Sequence, residues 1–326
     1  MLEHGGNLRA AKLHYGGEDW IDLSTGINPI GYPAPSPSPD AWQRLPEPDP
    51  ALVRAACAWY GAPQLLPVAG TQAAIQALPR LVPPACVTVA APSYAEHAHH
   101  WGQHGHMLRQ VEYAQLDAAL EDSEVLVICN PNNPTGALVA PEILLGWRAR
   151  LAARGGWLVV DEAFGDTAPA ASVAGHVGLP GLIVLRSVGK FFGLAGLRLG
   201  FVGAPSGLLE RLDDLLGPWT VSGPAQEIAC AALRDGAWQD ATRARLAADG
   251  ARMRALLARA GIEATGTPLF HWWPEAQAEA FHEHMAQRAI WVRLFRQAAR
   301  GIRIGLPAHE AHWRRIERAL DEWTLR

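Results

Sequence analysis

Lys190 is the residue whose surroundings in this chain most clearly set up chemistry. It lies in Ser187-Val-Gly-Lys190 and is followed by Phe-Phe-Gly-Leu-Ala-Gly-Leu-Arg198. A stretch this apolar and Gly-rich does not read as solvated surface. A buried lysine loses much of the hydration that favours its charge, so its pKa falls and its amine becomes a nucleophile able to condense with a carbonyl. Ser187 adds a hydroxyl donor and Arg198 a planar, permanently charged fork, the two things a phosphate dianion needs. A nucleophilic lysine beside a phosphate cradle points to pyridoxal phosphate, anchored covalently at one end and electrostatically at the other.

Three further segments supply what such a cofactor would require. Val125-Leu-Val-Ile-Cys-Asn130-Pro-Asn-Asn133-Pro-Thr-Gly136 reads as a buried strand running into a turn. Asn133 then falls at the C-terminal end of that strand, where open α/β sheets hold their ligands, and its amide could meet a phenolic oxygen. Trp157-Leu-Val-Val-Asp161-Glu-Ala-Phe164 is a second buried strand, ending on an acid. Asp161 could pair with a pyridine nitrogen and keep it protonated; an aspartate there could also cap a helix. Leu66-Pro-Val-Ala-Gly70-Thr71-Gln72 leads from a strand through a glycine into an apolar-periodic helix, whose first N–H groups suit a phosphate.

Taken in order, Gly70-Thr71, Asn133-Pro-Thr-Gly136, Asp161-Glu-Ala, Ser187-x-x-Lys190 and Arg198 resemble the aspartate-aminotransferase superfamily of fold type I pyridoxal enzymes. The likeness is strongest to the branch that holds histidinol-phosphate aminotransferases and threonine-phosphate decarboxylases, and it spans nearly the whole chain. Two features favour the decarboxylases of cobalamin synthesis. His4-Gly5-Gly6-Asn7 and Asp22-Leu-Ser24-Thr-Gly26-Ile27-Asn28-Pro29-Ile-Gly31 resemble their opening, and Phe164 stands where many aminotransferases carry a tyrosine. A phenylalanine there cannot donate a hydrogen bond.

The resemblance implies roles residue by residue. Lys190 would bind the cofactor and return a proton to the substrate α-carbon, with Asp161 on the ring nitrogen and Asn133 on the phenolic oxygen. Tyr94 would stack on the ring, and Gly70, Thr71, Gln72, Ser187 and Arg198 would surround the phosphate. Arg303 matches the family's carboxylate-binding arginine. Arg293 is a second cation, assigned to the substrate's own phosphate, while His4 and Asn28 are candidate substrate contacts from the N-terminal arm. The implied reaction is decarboxylation of L-threonine O-3-phosphate to (R)-1-amino-2-propanol O-2-phosphate. The alternative is transamination of a phosphorylated amino acid such as histidinol phosphate. Both start from the same substrate cations, and only the bond held perpendicular to the ring differs, a matter of small displacements that sequence does not resolve.

The elements that must position these residues follow from pattern. Residues 1–40 read as a Gly- and Pro-rich arm ending in the stiff connector Tyr32-Pro-Ala-Pro-Ser-Pro-Ser-Pro39. In the large cofactor-binding part, 41–220, strand-like and helix-like segments alternate. That predicts an α/β fold with a mostly parallel central sheet and helices on both faces, its strands ending near Val68, Ala90, Val111, Cys129, Val160, Leu185 and Val202. A smaller α+β lobe, 221–326, begins with a long helical stretch from about Pro224 to Ala260. It carries Arg293 and Arg303 on strands.

Bulk properties narrow the rest. A net charge of −4 over 326 residues gives no electrostatic case for nucleic acid, and no apolar run approaches a membrane span or signal peptide. Four scattered cysteines, Cys57, Cys86, Cys129 and Cys230, read as reduced thiols of a cytoplasmic protein. The family implies a homodimer. The run His97-Ala-His99-His100-Trp-Gly-Gln-His104-Gly-His106 has metal-ligand residues but no partner of matched spacing, so no metal is assigned and a solvated helix is expected. Thirteen dispersed tryptophans suit core and interface packing.

Overall fold

A computed structural model describes residues 4–297 and 299–324. The first strand, β1 (Ile21–Asp22), is short. The apolar runs that follow give β2 (Leu66–Val68), β3 (Cys86–Ala91), β4 (Met107–Glu112), β5 (Val125–Cys129), β6 (Trp157–Asp161), β7 (Leu182–Ser187) and β8 (Gly200–Gly203). These seven form one sheet in the order β2-β8-β7-β6-β5-β3-β4. The pairs from β4 through β7 are parallel, and β8 runs antiparallel to both its neighbours. The chain therefore has the expected fold type I architecture, with its strands ending within two residues of the predicted points.

Strands buried on both faces should be apolar throughout, and β5 is buried at every position. Its side chains divide by the two-residue period of a strand. Leu126 and Ile128 join the core cluster that also holds Leu52 and Leu144, whereas Val125 and Val127 join the one holding Ile75 and Trp101. One face is thus covered by the helices Pro50–Tyr60 and Pro141–Ala152, the other by Thr71–Ala77 and Ala95–Gln103. With every functional strand end walled on both sides, their C-terminal edge is where a cavity can form.

The expected helical stretch over 224–260 is present, interrupted once. It forms as Gly223–Arg234 and Gly236–Arg259, with Asp235 between them at φ −86°, ψ 76° and its side chain accepting from the Trp238 N–H. An aspartate that caps a new helix competes with continuing the old one, a preference invisible to apolar periodicity.

Beyond this lies a second, antiparallel sheet. It comprises β9 (Thr265–Thr267), β10 (Phe270–Pro274), β12 (Arg293–Phe295) and β13 (Gly301–Gly305), ordered β12-β13-β10-β9, and β11 (Ile290–Trp291) leaves it to pair with β1. The N-terminal arm is thereby tied to the C-terminal part: Ala11 and Trp20 pack with Ala286. The two sheets meet backbone to backbone at Gly136 and Gly266. A Cβ on Gly136, whose φ is +74°, would come within 2.4 Å of the Gly266 carbonyl carbon, so glycine is required there by space and by conformation.

Candidate active site

A cavity of about 1070 Å³ opens at the C-terminal ends of β5, β6 and β7, and its far wall comes from β12 and β13. Of the residues singled out from sequence, Gly70, Thr71, Gln72, Tyr94, Asn133, Asp161, Ser187, Lys190 and Arg198 all line it, as do His4, Arg293 and Arg303. The segments around Lys190, Asp161 and Asn133 converge because they follow strands of one sheet, and Arg293 and Arg303 join them from the second sheet.

Lys190 follows β7 in a turn. Burial, and then the nearby charge of Arg303, push its amine down to about 8, with Asp161 opposing and Arg198 adding to the fall. Its Nζ stands 5.4 Å from the centroid of the Phe164 ring. An amine so placed is free base for a useful fraction of the time near neutral pH, which a nucleophile requires.

The anion cradle is built on close approach. Gly70 has φ +73°, and a Cβ there would come within 2.7 Å of Arg198 Nη2. Thr71 and Gln72 open the helix Thr71–Ala77 just beyond, and Ser187 ends β7 with its hydroxyl accepting from Gly189 N–H at 3.1 Å. A glycine turn, a helix N-terminus, a hydroxyl and a guanidinium directed at one place are what a phosphate monoester needs.

Asp161, the last residue of β6, is buried. Its Oδ1 accepts from the Ala163 N–H, and its Oδ2 lies 2.9 Å from His97 Nε2. Burial opposes charge on His97, but hydrogen bonding to Asp161 and Cys129 carries its pKa up to about 10. Here the expectation of a solvated histidine helix fails. The helix turns one face inward, leaving His97 2% exposed, and His106, beyond the helix end at Gln103, is 7% exposed. His97 follows Tyr94 by three residues, the spacing that puts both on one helix face, and that was the signal available in the sequence. His97, Cys129 and Asp161 present ligand atoms within 4.8 Å of one another, but the His97–Asp161 contact is complete as a hydrogen bond.

Glu96 was also missed. Its carboxylate accepts from Gln72 Nε2 at 2.6 Å and meets His4 Nε2 at 2.7 Å and His100 Nε2 at 2.9 Å. Burial works against its charge, yet the bonds from Gln72 and His4 hold it below the usual carboxylate range. His4 therefore reaches the cavity mouth by way of Glu96.

Arg303 is 5% exposed, donates through Nη1 to Asn133 Oδ1 and through Nη2 to the Ser24 carbonyl at 2.6 Å, and has no partner for Nε among the described residues. Arg293 stands directly opposite it in the β12–β13 register. Burial and Arg293 both act against the Arg303 charge, but a guanidinium keeps its proton under such pressure. Asp22 supports the charge of Arg303, and two guanidinium groups on one wall attract anionic groups. This wall of the cavity is suited to a doubly anionic ligand.

Asn28 is the exception. It is 3% exposed and absent from the cavity wall; its amide is engaged by Phe191, Ile30 and Arg245. A short polar side chain beside a proline can be consumed by local backbone, and nothing in its spacing tells that apart from a ligand contact.

Residues 20–317 match the aminotransferase class I and II family. The chain is 50% identical over 323 residues to a threonine-phosphate decarboxylase of Pseudomonas aeruginosa, covering 98% of this chain and 97% of that one. It is 43% identical to a threonine-phosphate decarboxylase of a Sinorhizobium species, covering 99% of each. Among solved structures, a histidinol-phosphate aminotransferase of Sinorhizobium meliloti in complex with pyridoxal 5'-phosphate superposes with a TM-score of 0.84 at 22% identity, covering 99% and 95% of the two chains. That last likeness is one of fold.

Proposed function

The chain belongs to the class I and II aminotransferase family, and within it we propose that it is the pyridoxal-phosphate-dependent decarboxylase of L-threonine O-3-phosphate. The observation that carries the substrate is the opposition of Arg293 and Arg303 on one wall of the cavity that holds Lys190. Arg303 would take the carboxylate and Arg293 the substrate phosphate.

The residues fit the cofactor. The Gly70 turn, where a Cβ would fill the space beside Arg198, leaves room for phosphate oxygens with Thr71, Gln72 and Ser187 around them. Asp161, backed by His97, would hold the ring nitrogen; Asn133 would hold the phenolic oxygen and Tyr94 the ring face. Lys190 would be the covalent anchor. When bound, pyridoxal phosphate supplies a conjugated ring that accepts the electron pair released as an α-carbon bond breaks.

The protein's own part is binding, orientation and proton delivery. Arg303 holds the carboxylate, and its freedom is limited by Asn133 and Ser24. Loss of carbon dioxide leaves the α-carbon in need of a proton, and the Lys190 amine, with a pKa near 8, can carry one at neutral pH. Phe164 leaves the phenolic oxygen without a second donor. The product would be (R)-1-amino-2-propanol O-2-phosphate, a building block of the cobalamin nucleotide loop. We further read the protein as a cytoplasmic homodimer, with 41–220 binding cofactor and 221–326 bringing the substrate cations.

The test is incubation of purified enzyme and pyridoxal phosphate with L-threonine O-phosphate, without any keto acid. Carbon dioxide stoichiometric with aminopropanol phosphate is the expected result. Turnover of histidinol phosphate that needs 2-oxoglutarate, with no carbon dioxide, would replace this reading with transamination.

A further inference from the structure

Asn28 donates two hydrogen bonds to the turn that carries Lys190. Its backbone N–H donates to the Lys190 carbonyl at 3.0 Å, and its Nδ2 donates to the Phe191 carbonyl at 2.8 Å. Three residues on, Gly31 and Gly193 touch: a Cβ on Gly193, at φ +68°, would come within 2.6 Å of the Gly31 Cα. The Tyr32 N–H then donates to the Phe192 carbonyl at 2.8 Å. The arm and the lysine turn therefore run side by side over residues 28–32 and 190–193.

The other end of the Asn28 amide is fixed from a third element. Its Oδ1 accepts from Arg245 Nη2 at 2.8 Å and from the Ile30 N–H at 3.1 Å. Arg245 lies in the helix Gly236–Arg259 and pairs with Asp249 at 3.2 Å.

We propose that Asn28, held by Arg245, is a positioning residue for Lys190, fixing the backbone of the lysine turn so that its amine enters the cavity at one place. Asn28 touches neither the cavity nor the amine, and it acts through the chain. A lysine side chain has four rotatable bonds, so its reach alone does not fix its amine; a rigid origin, and the surrounding Phe164, Arg198, Arg303 and Asp161, must do so. Displacements of about an ångström at a reacting group can cost on the order of a hundred-fold in rate. Freed from the arm, the turn would also admit water, relieving the burial that lowers the amine's pKa.

The inference rests on Lys190 being the cofactor-binding residue, and the experiment separates the two. Arg245→Gln, on a partly exposed helix, removes the support without a buried cavity; Asn28→Asp places an acceptor against the Phe191 carbonyl. In full-length cofactor-free protein, the pH dependence of Lys190 acetylation, read by mass spectrometry of its peptide, reports the amine directly. In both variants we expect its midpoint to rise from near 8 toward the ordinary 10.5. In the cofactor-loaded enzyme kcat should fall roughly ten-fold with KM changed less than about two-fold, and Arg245→Lys should recover most of the loss. Lowered melting temperatures with wild-type acetylation midpoint and kcat would overturn the proposal. Borohydride fixing the wild-type cofactor on a residue other than Lys190 would overturn the underlying reading, and the proposal with it.

Discussion

His97 Nε2 lies 2.9 Å from Asp161 Oδ2, both side chains buried, at the base of the cavity. An imidazolium there offsets the carboxylate's charge and fixes its orientation toward the ring nitrogen it would hold. Replacing His97 with Phe leaves the carboxylate buried without that partner, and loss of one member of a buried pair costs about 3–5 kcal/mol. The expected outcome is a lower melting temperature and weaker pyridoxal phosphate retention on equilibrium dialysis. The pH dependence has a definite sign. The folded pKa of His97 is raised from 6.5 to about 10, so its stabilisation is full below about pH 6.5 and is lost as pH rises through 10. The stability gap between wild type and His97→Asn should close over that window in urea titrations.

Lys190→Ala should abolish the covalent adduct that borohydride fixes between protein and cofactor. Turnover should fall by at least the roughly 10²–10⁴-fold associated with one positioned proton carrier. Mass spectrometry after reduction decides it: a reduced adduct persisting in the variant would remove Lys190 from its role.

Arg303→Ala should act on substrate far more than on cofactor. A hydrogen-bonded charge contributes about 1.5–3 kcal/mol, so KM for L-threonine O-phosphate should rise roughly ten- to a hundred-fold. Cofactor absorbance should be retained after gel filtration. Release of cofactor with unchanged substrate affinity would mean that Arg303 serves the wrong ligand in this scheme.

His271 gives a prediction far from the chemistry. It is fully buried in β10, neither ring nitrogen has a hydrogen-bond partner among the described residues, and burial together with Arg254 pushes its pKa from 6.5 down to about 4. The unfolded chain takes up this proton below about pH 6.5, while the folded protein resists until about 4. Stability therefore falls with pH across that interval, by up to about 1.4 kcal/mol per pH unit for one proton. Melting curves from pH 7 to 5 should be shallower for His271→Leu than for wild type; identical slopes would exclude His271 as a source of acid lability.

Much of this was legible in the sequence, for identifiable reasons. The sheet was readable because strands walled on both faces must be apolar throughout, as Val125–Cys129 is. Lys190, Asp161 and Arg198 were readable because apolar context makes a charged residue expensive to keep without a use. His97 was misread because a histidine-rich run looks solvated unless the helix's inward face is known, and that face is set by packing against β3 and β4. Asn28 was placed in the cavity because ligand contacts and backbone clasps draw on the same short polar side chains. The helix break at Asp235 escaped because a cap is a local contest that apolar periodicity does not register.

Gly136 and Gly266 give the molecule a fulcrum. The turn that presents Asn133 and the hairpin β9–β10 bear on each other there with no side chain between them. Sliding of one sheet past the other is blocked by hard backbone contact, whereas rotation about the point is not. A methyl group on Gly136 would act as a wedge against the Gly266 backbone, prying the arginine wall away from the lysine without touching a single chemical group.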